Sequence, residues 1–230
     1  MEDYSKSMPR HPAKFTDILL ETMYPYIPNG DDIKLLDPFA GTGKIALIKE
    51  LGFKGKIYAN DLESEWLSPN IHGCDFLTYE DAETLDYPSE FFDCVCISPT
   101  YGNRMADHHN AKDGSVRMTY THCLGRPLHD QNTGSMQFGQ KYIEKHERIW
   151  RHLLNLLKGG GAFIVNAKNF VRKGKVVDVV GEHLRMLESL GLKLERNLTV
   201  ETPSMRYGRN SAKRIPHENI LIMRKGEFTE

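Results

Sequence analysis

The chain has 230 residues, enough for one sizeable domain with a large core, and its 40% hydrophobic and 27% charged content is that of an ordinary globular protein. No apolar run approaches the ~18 residues of a membrane span, the polar opening MEDYSKSMPRHPAKF is not a signal peptide, and four cysteines are too few for a disulfide scaffold, so a reducing cytoplasm without a membrane partner is expected. The net charge of −1 conceals an asymmetry: residues 1–100 hold 8 Lys+Arg against 18 Asp+Glu, a net of −10, and residues 101–230 hold 22 against 13, a net of +9, which favours a polyanionic partner for the second half.

In chain order, Ile18, Leu19, Met23 and Tyr26 recur at helical spacing across 16–27, and Pro28-Asn29-Gly30 stops that helix. IKLLD (33–37) reads as a first strand, KIALIKEL (44–51) as a helix ended by Gly52, and GKIYAND (55–61) as a second strand. CDFL (74–77) approaches a third, and FFDCVCISP (91–99) is a buried fourth in which Cys94 and Cys96 pack. Residues 102–139 are polar and lack a clear period. Residues 140–157 form an amphipathic helix with Tyr142, Ile143, Ile149, Trp150, Leu153, Leu154 and Leu157 on one stripe, ended by Gly159-Gly160-Gly161. AFIVNAK (162–168) is a fifth strand and VVDVVGEHLRMLESLG (176–191) a helix. LKLERNLTVE (192–201) and NILIMRK (219–225) are two last strands with a basic loop and no helix between them.

This alternation predicts an α/β fold in a single domain over 1–230: a Rossmann-like, seven-stranded, mostly parallel sheet with an antiparallel edge strand and helices on both faces. Ligands in such sheets sit outside the carboxyl ends of the strands, near the point where strand order reverses.

The segment LLDPFAGTGKIAL (35–47) puts an acid, a proline, an aromatic and two spaced glycines between strand and helix. Such a turn lets a ligand approach the backbone and meet helix N-terminal N–H groups. A phosphate loop needs G-x-x-x-x-G-K-[ST]; here Ile45 follows Gly43-Lys44, and Pro38 stands where the first glycine belongs. The dinucleotide fingerprint fits as Gly41, Gly43 and Ala46. S-adenosylmethionine is the third ligand class: Asp37 would face its cationic amino-acid end while Gly41 and Gly43 admit the backbone.

ISPTYGNR (97–104) follows the fourth strand directly. Methylating an exocyclic amine of a base needs hydrogen-bond acceptors that rehybridise its delocalised nitrogen and aim the lone pair at the methyl group. The Ser98 hydroxyl and the Pro99 carbonyl suit that role, and Tyr101 suits stacking on a base extruded from the duplex. Catalysis would then rest on orientation and electrostatics, without a covalent nucleophile.

DPFAGTG with SPTY downstream resembles the class I S-adenosylmethionine-dependent methyltransferases, and within them the amino-methylating DNA methyltransferases that make N6-methyladenine or N4-methylcytosine, whose motifs are DPF-x-G-x-G and [DNS]-P-P-[YFW]. The resemblance spans most of the chain. It implies S-adenosyl-L-methionine held by Asp37, Pro38, Phe39, Ala40, Gly41, Thr42 and Gly43, with Lys14, Phe15 and Thr16 of HPAKFT near the methionine end. It also implies Asp61, beside Leu62, on the ribose hydroxyls; Asp75 on the adenine amino group, with Phe76 packing; and Ser98 at the boundary of cofactor and substrate. Ser98, Pro99 and Tyr101 would be the catalytic turn. LLKGGGAFIV resembles the family's passage into its fifth strand. One departure stands out: the family's second proline is Thr100 here, which adds a backbone N–H and loosens the turn.

A 38-residue stretch without clear secondary structure, 102–139, is the expected target-recognition element or lid. Asn103, Arg104, Arg117 and Arg126 within it, Arg172 and Lys173 in NFVRKGK, and Arg206 and Arg209 in SMRYGRNSAKR are the expected contacts to DNA, with RNA as the alternative polyanion. The small recognition part would suit a short target or a homo-oligomer. His108, His109, His122, Cys123 and His129 match no common zinc spacing, and no metal is expected. Rival readings are an RNA base methyltransferase, a decayed nucleic-acid-binding protein and a dinucleotide oxidoreductase.

Overall fold

The computed structural model describes residue 11 and residues 16–67, 73–102, 119–202 and 215–226. Helix α1 (Asp17–Met23) runs into a single 3-10 turn at Tyr24–Tyr26, and the chain then enters β1 (Lys34–Asp37), β2 (Lys56–Asn60), β3 (Phe76–Thr78) and β4 (Phe92–Ile97). After the short α2 (Tyr120–Leu124) comes α3 (Gln140–Leu156), followed by β5 (Leu157–Ala167), the hairpin strands β6 (Phe170–Arg172) and β7 (Lys175–Val177), α4 (Val179–Ser189), β8 (Lys193–Glu201) and β9 (His217–Arg224). No described helix is long and apolar enough to cross a membrane.

Seven strands form one sheet in the order β3-β2-β1-β4-β5-β9-β8. The strands β3 to β5 pair in parallel, and β9 runs antiparallel to both β5 and β8. The two strands without a helix between them thus make the antiparallel edge pair the sequence predicts, with β9 one place in from the edge. Strand order reverses between β1 and β4, so the crevice lies above their carboxyl ends.

Alternation along buried strands divides the core in two. Leu36, Val95, Ile97, Phe163 and Val165 face α3 and α4, packing on Ile149, Trp150, Leu153 and Leu187. Leu35, Ile57, Cys94, Cys96 and Ile164 face the other way, onto Leu19, Leu20 and Met23 of α1. Both strand cysteines pack there as free thiols.

Three local expectations change. Residues Lys44–Lys49 form a 3-10 helix rather than a full α-helix, starting from Gly43, which offers no capping side chain. Its three-residue repeat puts Ile45 and Ile48 on one buried edge. Gly159-Gly160-Gly161 do not end α3 ahead of the strand; β5 begins at Leu157 and carries the glycines across a register shift opposite Phe92 and Cys94. Gly160 has φ +70, and a Cβ on Gly161 would lie 2.7 Å from Leu157 Cδ1, so the shift needs glycine. The segment NFVRKGK is not an open loop but a hairpin whose two tip residues, Lys173 and Gly174, have φ of +50 and +76.

Candidate active site

β1 delivers Asp37 into the crevice. Its Oδ1 accepts the Phe39 N–H at 3.1 Å, while Oδ2 is buried and has no hydrogen-bond partner among the described residues. Burial pushes the Asp37 pKa up to about 8; the Phe39 N–H pulls it down and the charge of Asp61 raises it further. Gly41 and Gly43 follow at φ +54 and +69, left-handed values that explain why glycine stands at both positions. A Cβ on Gly41 would lie 3.3 Å from His11 Nε2, so the start of HPAKFT lies over this turn. Ala40 N–H donates to Asn60 O (2.8 Å) and Asn60 Nδ2 to Pro38 O (3.1 Å), pinning the turn to the end of β2. Thr42 is buried, and Phe39 packs on the α3 side of the core beside His146. Thr16, at the start of α1, has a buried hydroxyl with no partner among the described residues, and the Lys44–Asp17 ion pair (2.8 Å) ties α1 to the turn.

Asp61 shapes the same turn. Its Oδ2 accepts the Gly41 N–H (2.8 Å) and its Oδ1 the Glu63 N–H (2.9 Å). Burial raises its pKa to about 6, against the lowering by those two N–H groups. Leu62 is half-buried beside it.

Asp75 and Phe76 are not brought to this crevice. Asp75 precedes the amino end of β3, where Oδ2 accepts from Ile57 N–H and Lys49 Nζ, both at 2.8 Å. Phe76 stacks on Tyr58 at 4.3 Å. The expected adenine contact fails because the short β3 begins after the acid and runs parallel to β2, leaving Asp75 at the opposite edge of the sheet.

At the end of β4, Asn166 of β5 donates to Ser98 Oγ at 3.3 Å and to Glu218 Oε2 of β9 at 2.8 Å; the Tyr101 hydroxyl donates to the same Glu218 oxygen at 3.3 Å. Pro99 is buried. The Tyr101 ring packs against the core, and burial above all raises its pKa well beyond the usual phenol value. Thr100 has a structural use: its hydroxyl meets Thr133 Oγ1 at 2.7 Å, joining the turn to the described part of the 102–139 segment. The Thr100 carbonyl accepts from the Tyr142 hydroxyl. Behind Tyr142, Trp150 Nε1 donates to His183 Nδ1 (3.3 Å), so a neutral His183 carries its proton on Nε2, 3.1 Å from Tyr142 Oη. Burial holds His183 well below its usual pKa, which keeps it neutral in this chain of bonds.

Within the 102–139 segment, residues 119–139 pack against the acid turn. Trp66, Tyr120 and Leu128 pack together, with His11 4.3 Å from Trp66. Glu63, fully buried, accepts from His129 N–H (2.8 Å) and Asn132 Nδ2 (2.9 Å). Arg126, an expected nucleic-acid contact, is instead occupied by Glu65 through two bonds of 2.8 and 2.7 Å and by Glu63 at 2.8 Å. Its carboxylate partners lie 61 and 63 residues earlier, which no local pattern reveals. Arg172 and Lys173 are exposed on the β6–β7 hairpin. Lys14, Phe15, Asn103, Arg104, Arg117, Arg206, Arg209, His108 and His109 lie outside the described residues.

Sequence reasoning missed Glu63, Asn166, Tyr142, His183 and Glu218. Glu63 stood two residues past Asp61 in YANDLE; nothing in the sequence joins Asn166 or Glu218 to Ser98.

Solved structures match this architecture. A SAM-dependent methyltransferase from Methanosarcina mazei superposes with a TM-score of 0.57 at 13% identity, covering 94% of this chain and all of that one. The chain has their fold. A [4+2]-cyclase, SpnF, superposes at 0.58 with 15% identity over 92% of this chain and 82% of its own. A 1,6-didemethyltoxoflavin-N1-methyltransferase from Burkholderia thailandensis, solved with S-adenosylhomocysteine, gives 0.53 at 14% identity over 90% and 76%. No family model matches the chain, and no curated protein matches it in sequence. The likeness fixes the Rossmann-like fold and leaves the reaction to the site, since one such fold carries a cyclase.

Proposed function

We propose that the chain transfers a methyl group from S-adenosyl-L-methionine to an exocyclic amino group of a DNA base, N6 of adenine or N4 of cytosine. The observation that carries this reading is Asp37 Oδ2: a buried carboxylate oxygen without a partner among the described residues, beside a two-glycine turn and one strand away from a Ser-Pro-Thr-Tyr turn. A buried acid left in that state costs stability, and a cationic ligand removes the cost. An ammonium is the chemistry that fits, which favours the amino-acid end of S-adenosylmethionine over a dinucleotide phosphate.

When bound, this cofactor supplies an electrophilic methyl group on a sulfonium. Asp37 and Thr16 would hold its amino-acid end, Gly41 and Gly43 would admit it to the backbone, and Asp61 would keep the turn in shape while offering its remaining lone pairs to ribose hydroxyls. The short 3-10 helix after Gly43 contributes little as a dipole, so the acid and the turn carry the binding. Ser98 Oγ and the Pro99 carbonyl accept the protons of the amine and aim its lone pair. The exposed Arg172-Lys173 tip and the net positive second half supply phosphate contacts.

The test is methyl transfer from labelled cofactor to unmodified DNA and to total RNA, followed by nucleoside digestion and mass spectrometry. A methylated adenine or cytosine from DNA is expected. Label in RNA alone keeps the chemistry and changes the substrate. Transfer to neither, with cofactor binding intact, refutes the reading.

A further inference from the structure

Glu218 is a carboxylate beside the Ser98 turn without a role in the reading above. It accepts from the Tyr101 hydroxyl and from Asn166 Nδ2 at a single oxygen, and both donors also meet the Ser98 side chain. An ionised carboxylate only accepts, so it fixes every direction in the cluster. The Tyr101 proton points at Glu218, leaving the phenol oxygen to accept from the Ser98 hydroxyl. The Asn166 amide turns its NH2 toward Glu218, which leaves Oδ1 buried without a partner among the described residues. With its own proton engaged by Tyr101, Ser98 Oγ presents a lone pair to an incoming amine.

We propose that Glu218 is the positioning carboxylate of the amine site and the end of a proton path running from Ser98 through Tyr101. The inference rests on the base-methylation reading. As the amine nitrogen bonds to the methyl carbon, the carbon–sulfur bond breaks and its electron pair stays on sulfur, so the nitrogen becomes cationic with a proton to lose. That proton passes to Ser98 Oγ while the Ser98 proton moves to Tyr101 Oη and the Tyr101 proton to Glu218 Oε2. Ser98 and Tyr101 end unchanged, and Glu218 ends as a carboxylic acid. With 16% of its side chain exposed, Glu218 returns the proton to water. Lys168 Nζ lies 3.9 Å from Oε1. On the β8 side its register partner is Val200, and the next charged pair is Glu201 opposite His217.

The experiment compares the full chain with Glu218→Gln, Glu218→Asp and Tyr101→Phe in single-turnover methyl transfer to duplex DNA across pH, alongside affinity for S-adenosylhomocysteine. The carbon resonance of the Tyr101 phenol is recorded in the ligand-free proteins. The Gln and Phe variants are expected to bind S-adenosylhomocysteine like wild type and to transfer about a hundredfold more slowly, the scale of a lost general base. With cofactor saturating at every pH, so that Asp37 does not enter the rate, they should also lose the decline at acid pH that wild type and the Asp variant keep. The Tyr101 resonance should shift on Glu218→Gln. A Gln variant as fast as wild type with the same pH profile, or an unmoved Tyr101 resonance, overturns the proton path alone. A wild type that methylates no base overturns the base-methylation reading, and the path with it.

Discussion

Asp37 at the carboxyl edge of the sheet and the two acids at its amino edge, Asp93 and Asp75, are treated in opposite ways. At the amino edge, Asp93 accepts from Lys34 N–H (2.9 Å) and Lys158 Nζ (2.5 Å), and Asp75 accepts from Ile57 N–H and Lys49 Nζ. At the carboxyl edge, Asp37 keeps one buried oxygen without a partner among the described residues, as do the Thr16 hydroxyl and the Asn166 carbonyl. Each unmade bond of this kind costs about 1–3 kcal/mol. Asp61, on the same carboxyl edge, has both oxygens satisfied by the Gly41 and Glu63 N–H groups, so the unmet demand is specific to Asp37, Thr16 and Asn166, and it is there that the proposed ligand would restore the stability given up.

The largest way to break this contrast is Asp37→Asn. Cofactor affinity should fall at least ~100-fold by calorimetry, the scale of a lost charge-assisted hydrogen bond, while the ligand-free protein becomes more stable at alkaline pH. The sign follows from the raised pKa. A carboxyl group at about 8 in the folded chain and about 4 when unfolded binds its proton more tightly when folded. Its stabilisation is full below pH ~4 and is lost as pH climbs to about 8, at up to about 1.4 kcal/mol per pH unit. The Asn variant lacks this decline. For the same reason, wild-type cofactor affinity should rise with pH up to about 8, with proton release on binding below that point. Equal affinity in the two proteins would remove Asp37 from the site.

How far all this was legible in the sequence differs by kind of signal. Period and punctuation gave the strand order's ingredients, and the acid-glycine turn and SPTY could be read as motifs because their spacing is local. Asp75 misled because the same local pattern does not say on which side of the acid a three-residue strand begins. Glu63, Asn166 and Glu218 were invisible because their partners come from other strands or from the 102–139 segment. Thr100 reads locally as a loosened turn, and the contact of its hydroxyl with Thr133, 33 residues away, leaves no local signal.

A second break tests the junction between the acid turn and the 102–139 segment. Glu63→Gln removes a buried charge held by Arg126, His129 N–H and Asn132. Urea unfolding should show a loss of about 1–2 kcal/mol, the scale of weakened charge-assisted hydrogen bonds, since Arg126 keeps Glu65 and Gln keeps an acceptor for His129 N–H and Asn132. An unchanged midpoint would mean that the junction holds without the carboxylate. Asp75→Asn sharpens the edge contrast on a smaller scale. It weakens the bonds to Lys49 and Ile57 and should cost about 1 kcal/mol, with cofactor affinity unmoved. A loss of affinity matching that of Asp37→Asn would restore Asp75 to the cofactor site and dissolve the contrast.

The smallest effect concerns two sets of basic residues that read alike in sequence. Arg126 is held by two carboxylates, whereas Arg172 and Lys173 stand exposed on a hairpin tip. A guanidinium already neutralised by Glu63 and Glu65 releases few counterions on meeting a phosphate. Arg172→Gln with Lys173→Asn removes two charges and keeps a residue type that tolerates the left-handed position at 173. The dependence of DNA affinity on log salt should become shallower by about 2, roughly one per phosphate contact, across unrelated sequences. Arg126→Gln should leave that slope alone and lower stability instead. If Arg126→Gln flattens the slope as much as the hairpin pair does, the ion pair with Glu63 and Glu65 opens on binding, and the segment it holds meets the nucleic acid directly.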